Sequence, residues 1–177
     1  MKTFTTLITL FSATLLAQEE NWTALFNGKD FTGWEQHSGV AEYRVEEGGL
    51  VGKTVAGTGN SFMCTSKEYA NFILEFEFKV PEGMNSGVQF RSLRYEKDTE
   101  VEIAGKKKKF PADRVHGYQF EIDPSTRAYT GGIYDEARRG WLFDLKNNEA
   151  ARKAFKSGEW NVGRIECRGD SIKTFIN

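Results

Sequence analysis

The run Gly117-Tyr118-Gln119-Phe120-Glu121-Ile122-Asp123 carries the densest chemistry in the sequence. In an extended strand, successive side chains point to opposite faces. Tyr118, Phe120 and Ile122 then share one face, and Gln119, Glu121 and Asp123 line the other. Two carboxylates and an amide on one surface can hydrogen-bond hydroxyl groups and move protons. A second run, Asn85-Ser86-Gly87-Val88-Gln89-Phe90-Arg91-Ser92, repeats the pattern. Val88 and Phe90 fall on its apolar side, and Asn85, Gln89 and Arg91 on its polar side. If the two strands share a sheet, they present a patch of Gln89, Arg91, Gln119, Glu121 and Asp123. Such groups suit sugar hydroxyls, while Tyr134, Trp141 and Trp160 can stack on the apolar face of a sugar ring. The same alternation also describes the ordinary solvent face of an antiparallel sheet. The pattern alone leaves both open.

Thr130 to Trp141 reads Thr-Gly-Gly-Ile-Tyr-Asp-Glu-Ala-Arg-Arg-Gly-Trp. Gly131 and Gly132 allow a bulge or a close backbone approach. Asp135, Glu136, Arg138 and Arg139 can bind a ligand or pair with each other, where surface pairs contribute little. Of the two histidines, His37 and His116, the second immediately precedes the carboxylate strand. A base or metal-ligand role is open to it, although a lone loop histidine more often has neither. No HExxH, P-loop, dinucleotide fingerprint or nucleophile elbow occurs. Lys106 to Lys109 reads as a solvated loop or hairpin tip rather than a polyanion site, because Glu96, Asp98, Glu100 and Glu102 offset it.

The elements that must position these residues are strands. The clearest spans Asn71 to Val80, where Phe72, Leu74, Phe76, Phe78 and Val80 alternate with charged residues. Ser86 to Ser92 follows it. Tyr43–Val45 and Leu50–Val51 flank a turn, as do Arg164–Arg168 and Ser171–Ile176 around Gly169-Asp170. Arg168-Gly169-Asp170 is turn chemistry rather than an adhesion motif. One short helix is expected over Asn148 to Ser157, capped by Asn147 or Asn148, ended by Gly158 and supported by the Glu149/Lys153 pair. Residues 93–115 form a polar excursion.

Composition bounds the rest. The chain has 177 residues, 24 Lys+Arg against 25 Asp+Glu, 39% hydrophobic residues and 14% aromatics. Such a chain has a core, and near-neutral charge argues against an electrostatically driven nucleic-acid binder. Residues 1–17 read as a secretory signal peptide: Lys2, a mostly apolar stretch, then Ala17 before Gln18-Glu19-Glu20. Removing them predicts an exported, periplasmic or secreted domain over 18–177, with no membrane insertion. Asn21-Trp22-Thr23 is a glycosylation sequon where the host glycosylates. Cys64 and Cys167 read as core residues rather than a bridge. The whole points to one all-β sandwich.

The run Leu25-Phe26-Asn27-Gly28-Lys29-Asp30-Phe31-Thr32-Gly33-Trp34 resembles the opening of the 3-keto-disaccharide hydrolase domain family. Asn85 to Ser92, Gly117 to Asp123, and Glu159-Trp160-Asn161 through Ile176-Asn177 are similar to that family's later segments. The resemblance implies a concanavalin-like jelly roll of two antiparallel sheets. It also implies hydrolysis of glycosides whose carbon 3 is a ketone, with a carbohydrate as the substrate. The family pattern continues beyond Asn177, so a C-terminally truncated domain is expected. In the implied chemistry, Glu121 is the base and Asp123 or His116 the second proton-transfer group. Arg91 stabilises the enolate, while Gln89, Gln119 and Tyr134 orient the sugar and Trp141 stacks on it. A divalent metal held by Glu121, Asp123 and His116 is the alternative electrophile. Two-carboxylate glycosidase chemistry is less natural, because Glu121 and Asp123, about 7 Å apart along one strand, point the same way. A non-catalytic, lectin-like binding module is the competing function.

Overall fold

The computed structural model describes residues 22–177. The signal-like segment 1–17 and the sequon asparagine lie outside the described residues. The described chain contains thirteen strands and one short helix. In chain order these are β1 (Trp34–His37), β2 (Glu42–Glu46), β3 (Gly49–Lys53), β4 (Phe62–Thr65), β5 (Phe72–Phe78), β6 (Ser86–Leu93) and β7 (Thr99–Ile103). Then follow β8 (Lys106–Phe110), β9 (His116–Ile122), β10 (Ile133–Glu136), β11 (Gly140–Phe143), α1 (Glu149–Ala154), β12 (Asn161–Arg168) and β13 (Ser171–Ile176). Every strand pairing is antiparallel.

Two larger sheets form the sandwich expected from the sequence. One has the order β11-β10-β9-β6 and the other β13-β12-β5. Three two-stranded ribbons, β1–β4, β2–β3 and β7–β8, complete the set. The predicted alternation in β5 turns Phe72, Leu74, Phe76 and Phe78 toward a core shared with Ile165 and Cys167 of β12 and with Phe90, Phe120 and Ile122 of the opposite sheet. Phe120 meets Phe76 edge-on at 5.3 Å between ring centres and is fully buried. Burying such a side chain contributes roughly 1.5–3 kcal/mol. Gly163 of β12 lies opposite Phe76, and a Cβ there would come within 2.3 Å of the Phe76 ring. A side chain at 163 would therefore push this ring out of the core.

The helix is shorter than expected but capped as expected: Asn148 accepts the Ala151 N–H at 3.1 Å. Glu149 pairs with Lys153, and Phe155 just beyond the helix stacks on Phe78 at 6.2 Å, closing one end of the core. The polar excursion folds into the β7–β8 hairpin, where Lys107 and Lys109 both lie beside Glu100. Both cysteines are free thiols; Cys167 is fully buried and Cys64 half-buried. Among the described residues, no helix is long and apolar enough to cross a membrane.

Candidate functional site

β6 and β9 pair directly, as the polar-patch argument requires. Gly87 lies opposite Glu121, Gln89 opposite Gln119 and Phe90 opposite Tyr118. On the other flank of β9, Tyr134 of β10 lies opposite Gln119, and Trp141 of β11 opposite Tyr134. Directly paired residues share a face. The fold therefore brings Gln89, Gln119, Glu121, Tyr134 and Trp141 onto the sheet face turned away from the core.

Glu121 is the centre of this face. Its side chain is almost completely buried. Asn85 Nδ2 donates to Oε1 at 2.7 Å and Gln119 Nε2 to Oε2 at 2.9 Å. Asn85 also donates to the Ile122 carbonyl at 3.1 Å, which fixes its amide. Gln89 Nε2 approaches Gln119 Oε1 at 3.4 Å, and Ser92 Oγ donates to Gln89 Oε1 at 2.9 Å. A chain of donors thus runs from Ser92 to the carboxylate. Burial pushes the Glu121 carboxyl above its usual range. The Asn85 and Gln119 hydrogen bonds oppose that shift, and the nearby Asp123 and Glu136 carboxylates reinforce it.

Three of the expected catalytic residues are placed differently. Arg91 does not join Glu121. A bulge interrupts the β6–β9 register between Phe90 and Leu93, and Arg91 has a positive φ of 47°. Such a bulge re-aims a side chain. The Arg91 guanidinium instead donates to the Ala70 carbonyl, the Gly169 carbonyl and Asn71 Oδ1. Asp123 lies one residue beyond β9. Its Oδ1 accepts the Ser125 N–H at 3.2 Å and its Oδ2 faces Arg127 Nε at 3.1 Å, so the carboxylate anchors its own loop. His116 is on the side of β9 that carries Tyr118 and Phe120. It is buried, packed on Phe110 at 4.0 Å between ring centres and near Tyr95 at 5.2 Å. Burial holds its pKa below the ordinary histidine value, helped by Arg138 and Arg114 and opposed by Asp135.

These placements also correct the expected metal ligands. Glu121 and His116 point to opposite sides of one strand, and Asp123 is held by Arg127. Among the described residues, no three His, Cys, Asp or Glu side chains are grouped to hold a metal ion. The proposed donor set does not fit one. Trp160, offered as a stacking residue, lies in the segment leading into β12 of the other sheet and is 64% exposed.

The aromatic end of the face is built by the loop between β9 and β10. Gly132 lies against Trp141: a Cβ there would approach the indole within 3.0 Å. Trp141 meets Tyr134 at 5.3 Å and Tyr129 at 5.2 Å, both edge-on. Sequence reasoning missed Tyr129 and Arg127, and it placed Asn85 on the polar side without its bond to Glu121. Only the pairing register, which sets Gly87 opposite Glu121 and leaves the room beside it to the Gln119 side chain, reveals that contact. Two cavities lie away from Glu121: one of about 640 Å³ is lined by Gln36, Ser38, Val40 and Asp113, and the other by Asn71, Ile73 and Arg168.

An antiparallel sandwich that presents amides, a buried carboxylate and aromatic rings on one sheet face has the architecture of a carbohydrate-active domain. Residues 21–177 match the 3-keto-alpha-glucoside-1,2-lyase-like domain, and the chain belongs to that family. The crystal structure of a candidate glycosyl hydrolase from Parabacteroides distasonis has a similar fold. It superposes with a TM-score of 0.50 at 23% identity, covering 88% of this chain and 67% of that one. No protein of curated function matches the chain.

Proposed function

We propose that this domain cleaves the glycosidic bond of glycosides oxidised to a ketone at carbon 3, by elimination followed by hydration. The observation that carries this reading is Glu121, a buried carboxyl whose burial raises its pKa above the usual glutamate range and whose two oxygens are fixed by Asn85 and Gln119. The ketone acidifies the hydrogen on carbon 2. Glu121 takes that proton, and the electron pair moves into the enolate of the ketone. The bond from carbon 1 to the leaving oxygen then breaks, and the proton held by Glu121 returns to that oxygen. Water adding across the resulting double bond completes a net hydrolysis. Tyr134 takes the place first given to Arg91, as the hydroxyl donor to the enolate oxygen. Gln89 and Gln119 orient the ring hydroxyls, and Trp141 supports its apolar side. The signal-like residues 1–17 support action outside the cytoplasm.

The test is release of a chromogenic leaving group from a 3-keto-glucoside and from its unoxidised parent. Release from the keto substrate alone, lost in Glu121→Gln, is the expected result. Release undiminished by Glu121→Gln overturns the assignment of the base. A second reading, a carbohydrate-binding module, is favoured by one observation: the structure brings neither Asp123 nor His116 to Glu121 as a partner acid. Sugar binding without turnover of the keto substrate selects it.

A further inference from the structure

We propose that Arg127 and Arg152 form an anion-recognising subsite beside Trp141, so that the preferred ligand carries a carboxylate, as a uronic acid does. The inference rests on the sugar-binding reading of the Glu121 face. Arg127 is held at four points, the first a hydrogen bond from its Nε to Ser125 Oγ at 3.4 Å. Its Nε lies 3.1 Å from Asp123 Oδ2, and its guanidinium carbon sits 5.8 Å from the Trp141 ring centre and 5.9 Å from that of Tyr129. Arg152 Nε donates to the Arg127 carbonyl at 3.0 Å, and its guanidinium also lies 5.9 Å from the Tyr129 ring centre.

Both side chains are therefore anchored through Nε and an aromatic ring. None of the described contacts engages their terminal nitrogens. Those nitrogens are the fork that binds a carboxylate in bidentate geometry. An arginine whose stem and ring contact are already fixed loses less freedom when it binds, which separates this pair from ordinary solvated surface arginines. The charge balance points the same way. Asp123 offsets one of the two cations, and among the described residues Arg152 has no acidic partner. One positive charge is left over at the aromatic end of the face. The subsite is also contiguous with Glu121: Trp141 lies opposite Tyr134, Tyr134 opposite Gln119, and Gln119 bonds Glu121.

The experiment is calorimetric or NMR titration of the folded protein with D-glucuronate, D-glucose and inorganic sulfate, at low and high salt. Glucuronate is expected to bind about tenfold more tightly than glucose, with an advantage that shrinks in salt. Arg127→Lys keeps the charge facing Asp123 but removes the fork, and Arg152→Gln removes the unpaired charge. The double variant is expected to lose the preference for glucuronate while its weak glucose binding stays. Equal binding of glucuronate and glucose overturns the inference, as does a preference that the double variant retains. Sulfate binding as tightly as glucuronate reduces the subsite to a bare anion site and overturns the sugar assignment. Turnover of a neutral 3-keto-glucoside with no glucuronate preference leaves the proposed reaction standing and removes the subsite. Glucuronate preference without turnover does the reverse.

Discussion

Arg91 and Asn71 join the two sheets of the sandwich through one shared acceptor. Asn71 Oδ1 receives Arg91 Nη2 at 3.2 Å and the Gly169 N–H at 2.8 Å. Arg91 comes from β6, Asn71 precedes β5, and Gly169 sits in the β12–β13 turn. The arginine that the sequence offered as an enolate stabiliser is a clasp between layers.

Arg91→Ala is therefore expected to lower stability by about 1–2 kcal/mol, and Asn71→Ala by a similar amount. Because both act through one acceptor, the double variant should fall short of the sum by at least roughly 0.5 kcal/mol. Urea midpoints of the four proteins measure this. Full additivity would show that the clasp is not a unit.

The base assignment predicts a pH profile. Removing Glu121 with Glu121→Gln should reduce turnover about 10²–10⁴-fold. In the wild type, kcat/KM should rise as the Glu121 carboxyl ionises, at a pH above the ordinary glutamate range because burial raises it. Asn85 lowers that pKa by donating to Oε1. Asn85→Ala should consequently move the acid limb to still higher pH. An unmoved or lowered limb would detach Asn85 from the carboxyl.

Gly87 should matter to function more than to folding. A Cβ at position 87 would lie 2.5 Å from the Gln119 side chain. That side chain can move, so Gly87→Ala is expected to fold, at a cost of about 1 kcal/mol. In moving, Gln119 gives up its bond to Glu121 Oε2. The acid limb should shift upward as in Asn85→Ala, and thermal unfolding should separate the small stability loss from the larger change in turnover.

His116 predicts acid sensitivity of the fold. Its folded pKa is lowered, so the unfolded chain takes up the proton first. The stability from burying it neutral is fully present above about 6.5, the ordinary histidine value, and is lost as pH falls below that. Both ring nitrogens are buried without a hydrogen-bond partner among the described residues. His116→Phe, between Phe110 and Tyr95, should remove this part of the slope between pH 7.5 and 5.5. An unchanged slope in urea denaturation would place the sensitivity elsewhere.

Much of the architecture was legible because β5, β6 and β9 alternate cleanly, and period two fixes which side chains share a face. The same rule placed Gln89, Gln119 and Glu121 together, and the turn signals bracketed β12 and β13. It failed where a strand departs from ideal pleating. The bulge at Arg91 reverses a side chain that counting assigns to the polar face. Asp123 lies a single residue past the strand end, where a turn captures it. The Arg127–Tyr129–Trp141 cluster joins a loop to a neighbouring strand, a contact that no local spacing encodes.

The donors around Glu121 all run one way. Ser92 gives to Gln89, Gln89 approaches Gln119, Gln119 gives to the carboxylate, and Asn85 gives from the other side. The row behaves like a short wire of aligned dipoles with its positive end on one oxygen pair. Each amide's orientation depends on the one before it. Reversing Gln89 alone would change how firmly Glu121 holds its proton, with no atom of β9 replaced. The proton affinity of this carboxylate is thus set as much by the strand beside it as by its own.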